Sequence, residues 1–136
     1  MTSREPLGSA EDMSAKTYDL HGVRVFECPV EGPPLRDDHD ALAVIGEAMA
    51  QGARLIVVPA RRLTPDFFQL RTAVAGAMLQ KFVNYRLRLA IIGDFSAFAA
   101  NSSALRAFIQ ESNRGGAIWF LANAGELENR LAGAGS

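Results

Sequence analysis

Three short runs of consecutive apolar residues stand out along the chain, each bounded by polar or turn-forming positions. They are RLIVVP at 54–59, RLAIIG at 88–93 and AIWFL at 117–121. Runs of this length, rich in β-branched and aromatic residues, are typical of strands buried on both faces, as in the interior of a parallel sheet. Because an amphipathic segment separates each run from the next, the pattern predicts repeated β-α-β units.

A different pattern precedes these runs near the amino terminus. Residues 17–20 and 23–28 form two β-type runs separated by His21-Gly22, a pair that favours a two-residue hairpin turn. Residues 1–16 are rich in Ser, Ala, Gly and Glu and show no periodicity, so a disordered tail is predicted there. The remainder, 17–136, is then predicted to be a single domain.

Capping signals predict where three of the helices begin. Asp37 or Asp38 can cap a first helix that ends at Gly52. Its apolar positions at helical spacing are Leu42, Ile45 and Met49. Further along, the N-cap of another helix is Asn101 or Ser102, and its end is Gly115-Gly116. The residues that open and form a short final helix are Asn123, Glu126 and Leu127–Leu131.

The stretch 64–94 predicts the central crossover of the fold. Thr64 as N-cap, Pro65 at the first helical position and Asp66 in the first turn all favour a helix start at the same place. Gly76 costs about 1 kcal/mol relative to Ala in a helix, so close packing against a neighbouring backbone is predicted there. The broad apolar side of this helix predicts burial on more than one side. Its residues are Phe67, Leu70, Val74, Met78 and Phe82.

Taken in order, these elements predict the series β-β-α-β-α-β-α-β-α. The fold class is therefore α/β, a single small domain with a mostly parallel sheet of four to five strands. The N-terminal hairpin supplies an antiparallel edge.

Composition and charge exclude several classes of protein. The chain has 136 residues, of which 49% are hydrophobic and 21% charged, as in an ordinary globular domain. Residues 1–40 carry a net charge of −5 and residues 41–136 a net charge of +4, without the basic runs that favour nucleic-acid binding. No secretory signal or membrane-spanning segment is recognised, and the single Cys28 allows no intramolecular disulfide. A cytoplasmic location without membrane contact is predicted.

Polar residues follow each apolar run, where sites usually form in open α/β sheets. This edge is predicted to bind a small anion or a charged tail of a partner protein. The predicted binding residues are Arg61, Thr64, Asp66, Arg71, Asp94, Phe95 and Ser96. Phe95 and Phe98 are expected to be an exposed pair because they lie in a connecting segment.

Structural roles compete with this interpretation. Thr64 and Asp66 are fully explained as capping residues, and Asp94 with Ser96 can cap the next loop. Arg71 can form a structural ion pair with Asp66 or Asp94.

Catalytic, metal and cofactor chemistry find little support. His21 and His39 have no spacing that brings them to Ser96 or Cys28, and Cys28 fits a buried apolar position better than a nucleophile. The carboxylates are scattered, so no metal site is predicted, and no Gly-rich phosphate loop precedes a helix. We therefore expect no cofactor and no metal.

Three motifs, DFFQL, AGAMLQKFVNY and AIIGDFS, resemble those of a bacterial family described only as domain of unknown function 4180. The resemblance covers roughly residues 17–132 and includes the segment SALRAFIQESNRGG. Members of that family typically carry an acidic residue after the AG pair, where this chain has Ala77.

The element order also resembles that of STAS domains, the anti-sigma-factor antagonist type. This resemblance implies binding to partner proteins, controlled by phosphorylation of a Ser or Thr at the start of the helix after the third strand. The hydroxyls near that position here are Thr64 and Thr72, and the usual Asp-Ser-Ser-Gly signature is absent.

Two functions are therefore predicted, from different classes. The first is a non-enzymatic STAS-like regulatory or interaction domain that binds a protein partner or a small ligand. The second is a small enzyme that uses Asp66 or Asp94 as general base at the same edge. A homodimer formed through a sheet edge or through the final helix is a further expectation.

Overall fold

The computed structural model describes residues 15–134, which form a five-stranded sheet and five α-helices. The strands are β1 (Lys16–Leu20), β2 (Val23–Glu27), β3 (Leu55–Pro59), β4 (Arg88–Ile92) and β5 (Ile118–Leu121). The helices are α1 (Asp38–Ala50), α2 (Val74–Asn84), α3 (Ser96–Ala100), α4 (Ser103–Arg114) and α5 (Ala124–Ala134). Three 3₁₀ turns follow β3, at Ala60–Arg62, Pro65–Phe68 and Leu70–Thr72.

The strands lie in sequence order across the sheet, β1-β2-β3-β4-β5. β1 pairs with β2 antiparallel, and the other pairs are parallel, so the predicted fold class is confirmed. We call the edge where β2 to β5 end the carboxyl edge, and the opposite one, where they begin, the amino edge. Right-handed crossovers that always step in the same direction place their helices on one face of the sheet.

The two faces of the sheet are covered differently. Alternate strand residues such as Ile56 and Ile91 join a large core with α1, α2 and α4. The intervening residues, such as Leu55 and Ala90, join a smaller core completed by Leu127 and Leu131 of α5. The crossover helices therefore cover one face, and the final helix covers the other.

The hairpin and three of the capping signals, at Asp37, Ser102 and Asn123, are confirmed. His21 (φ 50°) and Gly22 (φ 80°) both adopt the positive φ of a tight two-residue turn between β1 and β2. The amides of Asp40 and Leu105 donate to the side-chain oxygens of Asp37 and Ser102, at 3.1 and 3.0 Å. The amide of Glu126 donates to Asn123 at 3.0 Å and caps α5.

The predicted helix start at Thr64 is wrong. The chain instead passes through two 3₁₀ turns, and α2 begins only at Val74 because Ala73 adopts the left-handed conformation (φ 65°). The hydroxyl of Thr72 lies 2.7 Å from the carbonyl oxygen of Asp66 and 2.8 Å from that of Gln69, and these contacts favour a local turn over a regular helix.

The expected double burial of this helix is also wrong. The buried residues of α2 form a single face. They are Ala75, Met78, Leu79 and Phe82. Gly76 is exposed, and a Cβ atom built on it would meet nothing within 4 Å, so the glycine marks no close backbone contact.

Other boundaries differ less. The short helix α3 was not predicted, Met49 is half-exposed instead of buried, and Lys16 belongs to β1. The rest of the predicted tail, residues 1–14, lies outside the described residues. Within 15–134, no helix combines the length and the apolar character needed to cross a lipid bilayer.

Hydrogen bonds from Asn113 cover part of the outer strand β5. Its side-chain nitrogen donates to the carbonyl oxygen of Phe120 at 3.1 Å, and its oxygen accepts from the Phe120 amide at 2.7 Å. One side-chain amide thus bonds both backbone groups of a strand residue, as a neighbouring strand would.

Candidate functional site

A cavity of about 540 Å³ opens at the carboxyl edge, where several chain segments meet. It lies between the end of β2, the first turns after β3, the end of β4 and the first residue of α5. We call it the edge cavity. Its volume falls within the range of small-ligand sites, roughly 300–1,000 Å³.

Most of the lining of the edge cavity is apolar. Eleven of its fourteen lining residues carry no charge and no polar side-chain group. These are Val30, Val57, Pro59, Ala60, Leu63, Pro65, Phe68, Ile92, Gly93, Phe98 and Ala124. The remaining three are charged, namely Glu27, Arg61 and Asp94. An apolar cavity with few polar groups is the usual form of a ligand site.

Gly93 allows the chain segments after β3 and β4 to approach closely. A Cβ atom at this position would lie 2.5 Å from the Cβ of Ala60, closer than side chains tolerate. Both residues line the edge cavity, so its wall requires a glycine here. This assigns a structural reason to the Gly93-Asp94 pair at the end of β4.

Two stacked aromatic rings form another wall. The rings of Phe68 and Phe98 are nearly parallel, with centroids 4.3 Å apart. Phe68 is 4% exposed and Phe98 39% exposed, so Phe98 is the outer ring of the stack. Phe95 is half-buried against Phe68 and Phe120, so only one member of the expected exposed pair is exposed.

Residues 29–35, which we call the proline loop, place Val30 in the lining of the edge cavity. The Arg62 side chain fixes this loop, since its Nε donates to the Pro33 carbonyl at 2.9 Å and its Nη1 to the Pro29 carbonyl at 2.8 Å. Arg62 is only 8% exposed. Its neighbour Arg61 is exposed and lies 3.4 Å from the exposed carboxylate of Glu31 in the same loop.

Glu27, the last residue of β2, is half-buried and accepts a 2.8 Å hydrogen bond from the Tyr18 hydroxyl. Burial raises the pKa of Tyr18, and the bond to the Glu27 carboxylate and its charge raise that pKa further. The phenol therefore stays protonated and keeps donating to Glu27. One orientation of the carboxylate in the lining is thus favoured.

Asp94 is exposed and forms a local turn with Ser96. One of its carboxylate oxygens accepts hydrogen bonds from the Ser96 amide at 2.9 Å and from the Ser96 hydroxyl at 2.7 Å. These two bonds lower the pKa of Asp94 below its ordinary value. Asp94 consequently carries a negative charge at neutral pH.

The structure separates the other predicted binding residues from the edge cavity. Arg71 bonds to Gln69 at 3.3 Å and lines a neighbouring groove beside Phe98, and neither of its predicted ion pairs is found among the described residues. Phe95 and Ser96 line a third depression next to α4. The last two predicted residues lie at the turn after β3, where Thr64 makes no side-chain capping bond and Asp66 is exposed.

Metal and thiol chemistry gain no support from this part of the chain. No group of three potential metal ligands occurs within residues 15–134. Cys28 is buried, and its burial raises the pKa of the thiol to about 12, so the reactive thiolate is scarce at neutral pH.

Sequence reasoning missed four residues that form or support this site. Glu27 was read only as a strand position, and Val30 only as part of a rigid loop. Arg62 was placed at the carboxyl edge but not among the predicted binding residues, and Phe68 was interpreted as a core residue that could also line an apolar pocket. Signals existed for Glu27 and Arg62, since the first ends a strand and the second follows a strand at the edge where sites usually form.

Comparison with known proteins identifies a family. No functionally curated protein and no solved structure matches the chain significantly. A family profile described as "Domain of unknown function (DUF4180)" matches residues 20–131, most of the chain and nearly all of the described fold. The resemblance predicted from the sequence motifs is thereby confirmed, and the chain belongs to the DUF4180 family.

Proposed function

We propose that this protein is a non-enzymatic, STAS-like interaction domain that binds a small ligand in the edge cavity. The observation that carries this proposal is the cavity of about 540 Å³, apolar in most of its lining, at the carboxyl edge of a parallel sheet. Ligands of α/β proteins usually bind at this edge. Burial of apolar ligand surface there supplies affinity without any catalytic group.

The two carboxylates considered as general bases argue against an enzyme. A general base works best when its pKa lies near the operating pH, but Ser96 holds the pKa of Asp94 below its ordinary value. Asp66 is exposed and does not line the edge cavity. Binding is therefore the simpler function for this arrangement.

The STAS-like part of the proposal rests on element order. In such domains a hydroxyl residue at the start of the helix after the third strand is the phosphorylated switch. Thr72 is close to that position here, because it precedes α2 by two residues and accepts a bond from the Val74 amide at 3.3 Å. We propose that a protein partner distinguishes the phosphorylated from the unphosphorylated form of Thr72. The segment that holds Thr72 adjoins the edge cavity through Phe68.

A titration with a small apolar probe tests the ligand site. We expect 2-phenylethanol to shift the backbone amide resonances of Val30, Ala60 and Gly93 in two-dimensional NMR spectra, because these residues line the edge cavity. Ala124 is an exposed lining residue, so Ala124→Trp should fill the cavity and abolish these shifts.

The matched control is Ala107→Trp, which adds the same side chain at an exposed helical position outside the cavity lining. It should leave the shifts intact. If the probe shifts no resonances, or if both tryptophan variants behave alike, the cavity is not a ligand site and the proposal fails.

A further inference from the structure

We infer that the ligand of the edge cavity is a small organic cation, an amine attached to an aromatic or branched apolar group. This inference rests on the proposed function and specifies its ligand class. It starts from the three charged side chains in the lining, Glu27, Arg61 and Asp94. The three side chains differ in whether an oppositely charged side chain forms an ion pair with them.

Arg61 already has an anionic partner outside the lining. Its guanidinium lies 3.4 Å from the carboxylate of Glu31. Glu27 and Asp94, by contrast, contact only hydroxyl and amide donors, from Tyr18 and Ser96. Within residues 15–134 neither carboxylate forms an ion pair. The lining therefore presents two carboxylates without an ion-pair partner among the described residues, and Lys16, which lies opposite Glu27 in the register of β1 and β2, forms no ion pair with it.

The start of α5 at Ala124 does not reverse this charge preference. A helix N-terminus attracts anions through its free amides. Here Glu126 accepts from the Ala122 amide at 2.9 Å, and its own amide donates to Asn123 at 3.0 Å. The chain thus already supplies a carboxylate at this helix end, and a ligand anion would meet a third negative charge.

Glu27 is the better anchor of the two carboxylates for a ligand cation. It is half-buried, whereas Asp94 is exposed. Attraction between charges is stronger where water is partly excluded, and exposed charges are screened by salt. The Tyr18 hydroxyl holds the Glu27 carboxylate in place at 2.8 Å, so little ordering is required when a cation binds.

The apolar walls determine the rest of the ligand. Val57 and Ile92, from the two central strands, lie in the same lining as the stacked Phe68 and Phe98. An ammonium group near Glu27 would leave an attached ring or branched chain among these side chains. The two requirements together define an amphipathic cation.

Three probes of similar size and different charge test the inference. They are 2-phenylethylammonium, 2-phenylethanol and 3-phenylpropanoate, each titrated by calorimetry at neutral pH and low salt. We expect the ammonium probe to bind at least about tenfold more tightly than the alcohol, and the carboxylate probe to bind most weakly. The preference should decrease as salt is added.

Glu27→Gln separates the charge of this residue from its shape. The amide oxygen still accepts from Tyr18, so the variant should fold, and it should lose most of the preference for the ammonium probe over 2-phenylethanol. Glu111→Gln removes an exposed carboxylate outside the lining and should change nothing.

The outcomes distinguish the inference from the proposed function. If all three probes bind with equal affinity, or if Glu27→Gln keeps the full preference, the cation inference is overturned and the ligand site stands. If none binds, both are overturned.

Discussion

The charged side chains around Trp119 at the amino edge and those that line the edge cavity at the carboxyl edge make different contacts. At the amino edge, two arginine side chains donate to backbone carbonyls in the last turn of α4 and in the segment that follows it. Arg88 reaches the Gly116 carbonyl at 3.2 Å, and Arg130 reaches the Asn113 carbonyl at 2.7 Å. At the carboxyl edge, Glu27 and Asp94 line a cavity and have no cationic partner among the described residues.

The difference shows which charges have a structural explanation. Helix C-termini present carbonyl oxygens at the amino edge, so arginines there stabilise the helix ends. Both arginines also pack over the ring of Trp119, with the guanidinium carbons of Arg88 and Arg130 at 4.9 and 5.1 Å from the ring centroid. At the carboxyl edge, Asp94 stabilises a local turn with Ser96, whereas Glu27 has no equivalent role at a helix end. We therefore expect the loss of these arginine contacts or of Trp119 to affect stability, and the loss of the Glu27 charge to affect binding.

The largest expected effect is at the amino edge. Trp119→Ala removes a buried ring, two cation contacts and the 2.7 Å bond from its indole nitrogen to the Gly115 carbonyl. Urea denaturation should show a loss of about 3–5 kcal/mol. Trp119→Phe keeps most of the packing and should cost less than half as much. Equal losses for the two variants would mean that the ring's bulk is unimportant.

Arg62→Met should have the next largest effect on stability, and it should also weaken ligand binding. Losing the bonds to the Pro29 and Pro33 carbonyls should cost roughly 2–3 kcal/mol in urea denaturation. It should also weaken 2-phenylethanol binding, since the proline loop that holds Val30 is released. Arg61→Met is the control, because its exposed pair with Glu31 should contribute less than about 1 kcal/mol. Similar losses in the two variants would contradict this role of Arg62.

Gly93→Ala tests the close contact at the carboxyl edge. The added methyl group collides with Ala60, which should cost about 1–3 kcal/mol in thermal or urea unfolding. The double variant Ala60→Gly with Gly93→Ala should recover much of this loss, because it removes the colliding atom. If the second substitution brings no recovery, the contact is not the cause.

The smallest effect concerns the pH dependence of Asp94. Its folded-state pKa is lowered by Ser96, so the stabilisation from its charged form is present above the unfolded-state pKa and is lost as the pH falls through the lower folded-state value. Carboxyl NMR titration should show the Asp94 pKa moving up towards its ordinary range in Ser96→Ala. Ser103→Ala, at an exposed position that makes no bond to Asp94, should leave that pKa unchanged.

Local signals predicted the strands, the hairpin and three of the helix caps well, since each depends on neighbouring residues. The region after β3 was predicted wrongly because Thr64-Pro65-Asp66 also suits a 3₁₀ turn. The sequence has no sign that Ala73 adopts a positive φ, a conformation in which alanine is uncommon. Gly76 also led to a wrong prediction. A glycine in a helix can mark close packing against a neighbouring backbone, but this one is exposed.

The candidate site was predicted only by its position at the carboxyl edge. Its lining comes from segments far apart in the chain, so local patterns could not bring Glu27, Val30 and Phe68 together. The different contacts of Arg61 and Arg62 could not be predicted from the sequence either. They depend on the carbonyl oxygens of the proline loop, which approach Arg62 only once the fold has formed.

The side chain of Asn113 also affects how copies of this protein can assemble. Its amide occupies both outward backbone groups of Phe120, so a further strand could join β5 only by displacing it. The sheet's other outer strand is β1. A homodimer built by strand pairing would therefore join two β1 strands about a twofold axis. In such a dimer the outer strand at each end is β5, whose Phe120 backbone groups already bond to Asn113. Strand pairing therefore stops at two copies and does not extend into a fibre.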